Sequence, residues 1–139
     1  MWKKIINKLM KNGSKFKSEK IYLKSLKIFH RKSYKNPDEL LKLAVMNVSP
    51  AADIRKRLRN RRRKRYDEAP CILTPKARIS YAVTSIVNSL TTIKKKDCVS
   101  DLVNEILDSA KAASLLVTKK ELTQESAFKK KKFARFRWF

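Results

Sequence analysis

Glycine is almost missing, with one in 139 residues, and there are only four prolines. One glycine cannot build a glycine-rich phosphate loop, which needs several positions where the backbone meets phosphate without a Cβ. The same scarcity disfavours an all-strand, turn-rich fold. Histidine is limited to His30, and cysteine to Cys71 and Cys98. Two isolated cysteines make no disulfide framework, and two partly buried free thiols are expected. Without a His or Cys cluster there is no zinc site, and no cofactor of any kind is expected. Acids are also few, 12 against 36 Lys and Arg. They are too scattered for a magnesium site, and no nucleophile, base and orienter come together. The chain reads as a non-enzyme. No run approaches the roughly 20 apolar residues that span a bilayer. The start, Met1 to Ile6, lacks the apolar stretch of a secretory signal. No membrane association is expected.

What the sequence does have is positive charge, formally +24. Self-repulsion at that charge opposes compaction, so a bound polyanion is the natural partner. A hydrophobic fraction of 42% argues against full disorder. The length suits one domain, residues 1–139. The charge peaks at residues 55–65, where nine of eleven are basic, seven of them Arg, and none is acidic. A packed core cannot hold such a run, because each charge would need a partner and desolvation. Asp53 precedes the run, and Asp67 and Glu68 follow it. The run therefore projects from the body, and phosphate backbone is the polyanion it suits.

Around the run the periodicity is helical. Residues 3–12 place Ile5, Ile6, Leu9 and Met10 on one face and end at Asn12-Gly13-Ser14, with Gly13 suited to the left-handed position. Residues 17–32 follow, with Ser18 as a cap and an inward stripe of Ile21, Tyr22, Leu26 and Phe29 widened by Leu23 and Ile28. Lys20, Lys24, Lys27 and Arg31 make its outer face basic. Asn36-Pro37-Asp38-Glu39 gives a cap, a first-turn proline and a capping-box Glu. The helix it starts runs through Leu40, Leu41, Ala44, Val45 and Val48, closes at Ser49-Pro50, and reads as interior.

Residues 51–73 fit two extended arms around a charged tip, or else a basic helix, since no Asn-Gly or Gly-Gly turn is present. Thr74-Pro75 starts a helix over about 75–90 with a stripe of Ile79, Val83, Ile86 and Leu90. Lys94 to Lys96 form an exposed link. Asp97 caps a helix burying Val99, Leu102, Val103, Ile106 and Ala110. Its acidic face, Asp101, Glu105 and Asp108, meets a basic neighbour or solvent. Thr118-Lys119-Lys120-Glu121 reads as a capping box, with Leu122, Ala127 and Phe128 as the apolar side beyond it. Residues 129–139 are a basic aromatic segment suited to phosphate contact and stacking, or to folding back on the core. Phe133 and Phe136 are the aromatics expected to pack.

Several stretches carry a family likeness. Ile6 to Gly13 resembles the opening helix and glycine stop of the small-subunit ribosomal protein seven family. Ser18 to Ile21 resembles the start of that family's next helix, and Asn47-Val48-Ser49-Pro50 its Asn-Val-x-Pro pattern. Ile54 to Arg57 resembles the beginning of its long hairpin, Asn104 to Ala110 a late helix, and Lys119 to Glu121, Ala127-Phe128 and Phe133 to Trp138 its closing stretch. The order and spacing run over almost the whole chain. Two departures stand out. Arg59 to Arg63 occupy the place of the family's paired hairpin glycines, although Tyr66 and Pro70 keep later landmarks. The basic N-terminal extension of bacterial members is not seen, and some rRNA contacts go with it.

The resemblance implies a mainly α fold, a bundle of about six helices with a protruding basic β-hairpin at 51–73. It implies a structural constituent of the small ribosomal subunit that binds the head domain of small-subunit rRNA and supports head assembly. The hairpin would line the exit-tRNA and mRNA region. Expected partners are small-subunit rRNA, neighbouring head proteins, platform protein eleven, tRNA and mRNA, with no homo-oligomer. Expected RNA contacts are Lys20, Lys24, Arg55, Arg57, Arg59, Arg61, Arg62, Arg63, Lys64, Arg65, Arg78, Lys119, Lys129, Lys130, Arg135 and Arg137. The 25 lysines against 11 arginines, and the Arg-Phe-Arg-Trp-Phe ending, resemble mitochondrial members, with plastid or bacterial cytoplasm as alternatives. The competing reading is a helical DNA-binding or nucleoid-type protein, which would present Asn, Gln and Arg from a recognition helix. A protein scaffold without nucleic acid comes third.

Overall fold

The computed structural model describes residues 2–32, 36–60, 65–92 and 97–138. Among these, the helices are α1 (Trp2–Leu9), α2 (Lys15–Lys32), α3 (Pro37–Val48), α4 (Pro75–Thr92), α5 (Cys98–Ala110) and α6 (Leu115–Lys129). Between α3 and α4 lie strands β1 (Ala52–Asn60) and β2 (Arg65–Ile72), and a 3-10 segment, Lys131–Trp138, follows α6. The fold is a six-helix bundle from which a two-stranded antiparallel hairpin projects. The helical alternative for 51–73 is thereby excluded.

The core lies where α1 to α5 converge. Phe29, Leu41, Ile86, Leu102 and Ile106 are fully buried there, together with Ile5. The predicted stripes of α3, α4 and α5 supply most of this interior. In α3, Leu40, Leu41, Ala44, Val45 and Val48 are all buried. Trp2 is a core residue that helical periodicity did not single out. Its ring sits 5.0 Å from Tyr22 and 6.1 Å from Phe29, the latter edge-on. Its indole N–H donates to the Asp38 carboxylate, tying α1 to the first turn of α3. Met10, assigned to the same apolar face as Ile5, falls past the end of α1 and is exposed. Leu23 does not widen the α2 stripe and is exposed too.

Helix starts differ from the sequence reading in instructive ways. Ser18 is not a cap, because α2 begins earlier, at Lys15, directly after a turn. Asn12 and Gly13 both take positive φ in that turn, 51° and 72°. A Cβ on Gly13 would meet nothing within 4 Å, so the glycine serves the backbone conformation alone. Ser18 and Ser25 are instead buried inside α2, each hydroxyl donating to the carbonyl three residues earlier. That local bond lets a polar side chain enter the interior. Asn36 stands at the cap position, but its side chain bonds no backbone N–H and reaches Glu39 at 3.5 Å. Asp97 likewise precedes α5 without a side-chain cap. Thr74 does cap α4, accepting from the Ala77 N–H.

The predicted capping box at Thr118 lies inside α6. The real cap is Ser114, whose hydroxyl accepts from the Leu116 N–H and donates to Glu105. Thr118 donates back to the Leu115 carbonyl. Glu105, on the acidic face of α5, therefore meets serine hydroxyls of its own helix and the next, Ser109 and Ser114, rather than a base. Of the apolar side proposed for α6, only Ala127 is buried, while Leu122 and Phe128 are exposed. Lys94 to Lys96 lie outside the described residues.

Helix α5 ends in a Schellman motif. The Ala113 N–H bonds the Asp108 carbonyl at 2.9 Å and the Ala112 N–H bonds Ser109 at 3.2 Å. The residue in the left-handed position is Ala112, with φ of 58°. Glycine normally fills that place.

Candidate nucleic-acid interface

The hairpin register pairs Ala52 with Ile72, Ile54 with Pro70, Arg55 with Ala69, Lys56 with Glu68, Arg57 with Asp67 and Leu58 with Tyr66. A register irregularity lies between Leu58 and Asn60, and Asn60 pairs with Arg65. Folding back thus brings the two acids that follow the basic run alongside its first half. Lys56 Nζ lies 3.8 Å from Glu68 Oε1. Among the described residues beyond Leu58, the one pairing is between Asn60 and Arg65, and neither is acidic. Arg61, Arg62, Arg63 and Lys64 lie outside the described residues. Arg57, Arg59 and Arg65 occupy strand positions, and Arg55 is exposed beside them. Irregular pairing near the end of a ribbon increases its twist and re-aims the strand.

The C-terminal basic segment is brought against the foot of the hairpin. Strand β2 packs on the 3-10 segment, and α6 packs on β1. Lys130, one of the expected RNA contacts, forms an ion pair and hydrogen bond with Glu68. The hydrogen bond and charge of Lys130, with a smaller contribution from Lys56, hold the Glu68 carboxyl below the usual carboxylate range. Lys120 Nζ is also committed within the fold, donating to the Asn47 carbonyl at 2.9 Å. Lys129, Lys131 and Lys132 remain exposed around the same junction. Arg135 and Arg137 lie in the 3-10 segment. Phe133, expected to pack, is exposed.

The other candidates sit elsewhere. Lys20 and Lys24 are exposed on α2, which packs mainly on α1, α3 and α5. Lys119 is exposed on α6. Arg78, in the first turn of α4, is half-buried, and its Nε is buried without a hydrogen-bond partner among the described residues. Most of the described candidate residues thus fall in two basic clusters, the hairpin with the C-terminal segment at its foot, and the outer face of α2.

No group of three or more His, Cys, Asp or Glu that could hold a metal occurs among the described residues. His30 is exposed on α2. Cys71 and Cys98 are free thiols. Partial desolvation, and then the charge of Asp101, raise the Cys98 thiol above its ordinary value, although the residue is exposed. No helix among the described residues is long and apolar enough to cross a membrane.

A sequence model of the family described as Ribosomal protein S7p/S5e matches residues 1–131. The chain belongs to this family. It is accordingly a ribosomal protein with a structural, rRNA-binding and non-catalytic role in the small subunit. Within that role, sequence reasoning missed Lys131 and Glu68. Lys131 lies in the lysine run that signalled the segment, and its ammonium sits 5.2 Å from the centre of the Phe128 ring. No linear signal links Glu68 to Lys130, which are 62 residues apart.

Proposed function

We propose that this ribosomal protein binds the head domain of small-subunit rRNA, supports head assembly, and extends its basic hairpin along the exit-tRNA and mRNA path. The observation that carries the proposal is the placement of the basic run. Its described residues, 55–60 and 65, lie on the two strands of a projecting ribbon, with a second basic segment at the ribbon's foot. A ribbon of this kind follows phosphate backbone and contributes position rather than base specificity. The helical DNA-binding reading would place such a run on a recognition helix, whereas residues 55–60 and 65 lie in strands. Neighbouring head proteins and platform protein eleven are the protein partners in this reading. The lysine excess and the aromatic ending favour a mitochondrial ribosome.

Crosslinking the tagged protein in its native particles and sequencing the attached RNA tests the proposal. Crosslinks from the hairpin to the head domain of small-subunit rRNA, and to exit-site tRNA, are the expected result. Crosslinks confined to another rRNA domain overturn it. The source of the co-purifying rRNA decides between a mitochondrial, a plastid and a bacterial particle.

A further inference from the structure

At the foot of the hairpin is a pocket of about 370 Å³, within the range of about 300–1,000 Å³ common for small-ligand sites. Its walls are Pro70 and Ile72 from β2 and Ala127 and Phe128 from α6, with Gln124 and Lys131 as polar groups at its edge. Ile72 and Phe128 are 70% and 71% exposed, although both belong to elements that pack together. Each element has thus turned a large apolar side chain outward at their junction. The surroundings are cationic. Lys131 lines the pocket with its ammonium 5.2 Å from the centre of the Phe128 ring, Lys129 and Lys132 are exposed beside it in the chain, and Glu68 is already tied to Lys130 and Lys56. An apolar slot with an aromatic ring, one amide and a rim of ammonium groups matches one chemistry closely. A nucleobase has an apolar face to stack and polar edges for an amide, and it is tethered to a phosphate that seeks cations. An apolar side chain of a protein would use the slot but leave the lysines unanswered.

We infer that this pocket holds a single unpaired RNA nucleotide, its base against Phe128 and Ile72 and its phosphate on Lys131 and the neighbouring lysines. Gln124 is the group placed to read an edge of the base. The inference rests on the rRNA-binding role and adds a defined site to it. It makes the hairpin foot a clamp on one looped-out residue, while the hairpin itself follows backbone.

The test uses the full chain and two RNA hairpins. One is fully paired, and the other carries a single unpaired 2-aminopurine. Expected is tighter binding of the second, with quenching of the 2-aminopurine on binding. Phe128→Ser should reduce affinity for the bulged RNA by about tenfold and restore fluorescence, leaving the paired RNA unaffected. Ile72→Ser should act in the same direction. Lys131→Gln should lower the salt dependence. Met46→Ser, which removes a 68% exposed apolar side chain on α3, is the control. Equal binding of both RNAs, or equal loss on both in Phe128→Ser, overturns the inference and leaves the rRNA-binding reading standing. Absence of binding to either RNA at low salt removes both. Unchanged RNA binding by Phe128→Ser, combined with its failure to enter small subunits, assigns the pocket to a protein neighbour and overturns the inference.

Discussion

At the scale of single residues, Ala112 is the plainest site of stored strain. An L-residue with a Cβ in the left-handed region costs about 1–2 kcal/mol, part of which glycine returns as chain entropy. Ala112→Gly is expected to stabilise the fold by about 1 kcal/mol, visible as a raised urea midpoint with an unchanged slope. Trp2 is the opposite case. Trp2→Ala empties the space beside Tyr22 and Phe29 and leaves Asp38 without its donor, so a loss of about 3–5 kcal/mol is expected. Trp2→Phe keeps most of the burial and should lose only about 1 kcal/mol. Similar losses in the two variants would show that the hydrogen bond, not the ring, holds α1. Individual caps were the least legible feature of the sequence. Ser18 and Thr118 have the right residue types, yet those helix starts are set by a turn and by Ser114, while Asn36 does stand at the cap position but without a side-chain bond to the backbone. A hydroxyl or amide signals what a helix start can use, and tertiary docking decides where the start falls.

At the scale of elements, the buried stripes of α3, α4 and α5 were readable because a 3.6-residue period survives any tertiary detail. The hairpin was harder. Its strands carry charges where alternation would be expected, so the pattern alone left a helix open and the family likeness supplied the ribbon. The foot of the hairpin was not legible at all, since it depends on Glu68 meeting Lys130 and on Ile72 and Phe128 lining one pocket from distant parts of the chain. Replacing Arg59, Arg61, Arg62 and Arg63 with Gln should weaken binding to the cognate rRNA fragment and reduce the salt slope by about 0.9 for each lost phosphate contact. Affinity and slope unchanged in titrations at two salt concentrations would remove the rRNA contact. The Glu68 tie has its own pH signature. Its carboxyl is lowered in the folded protein, so its stabilisation is present above the unfolded carboxylate value and is lost as pH falls through the lower folded one. Hydrogen exchange in β2 should therefore rise only in acid, and Glu68→Gln should remove that step. The effect will be small, because both partners are partly exposed.

At the scale of the whole molecule, a charge of +24 on 139 residues means that the isolated protein works against its own charge. Salt should raise its melting temperature by screening this repulsion, and an RNA fragment that binds only the folded state should raise it further with concentration. A melting temperature indifferent to both would contradict the electrostatic account. The docking of α1 has a separate consequence, one of timing. An eight-residue helix is marginal alone, and α1 lies against α2 and α4. The residues of α4 follow it in the chain only after α2, α3 and the hairpin, at positions 75–92. During synthesis, Ile5 and Trp2 therefore leave the ribosome well before their α4 contacts exist, and the core closes late through contacts distant in sequence. Until then the nascent chain presents an unfinished apolar face beside a large positive charge. In that interval it is most dependent on an RNA partner or a chaperone.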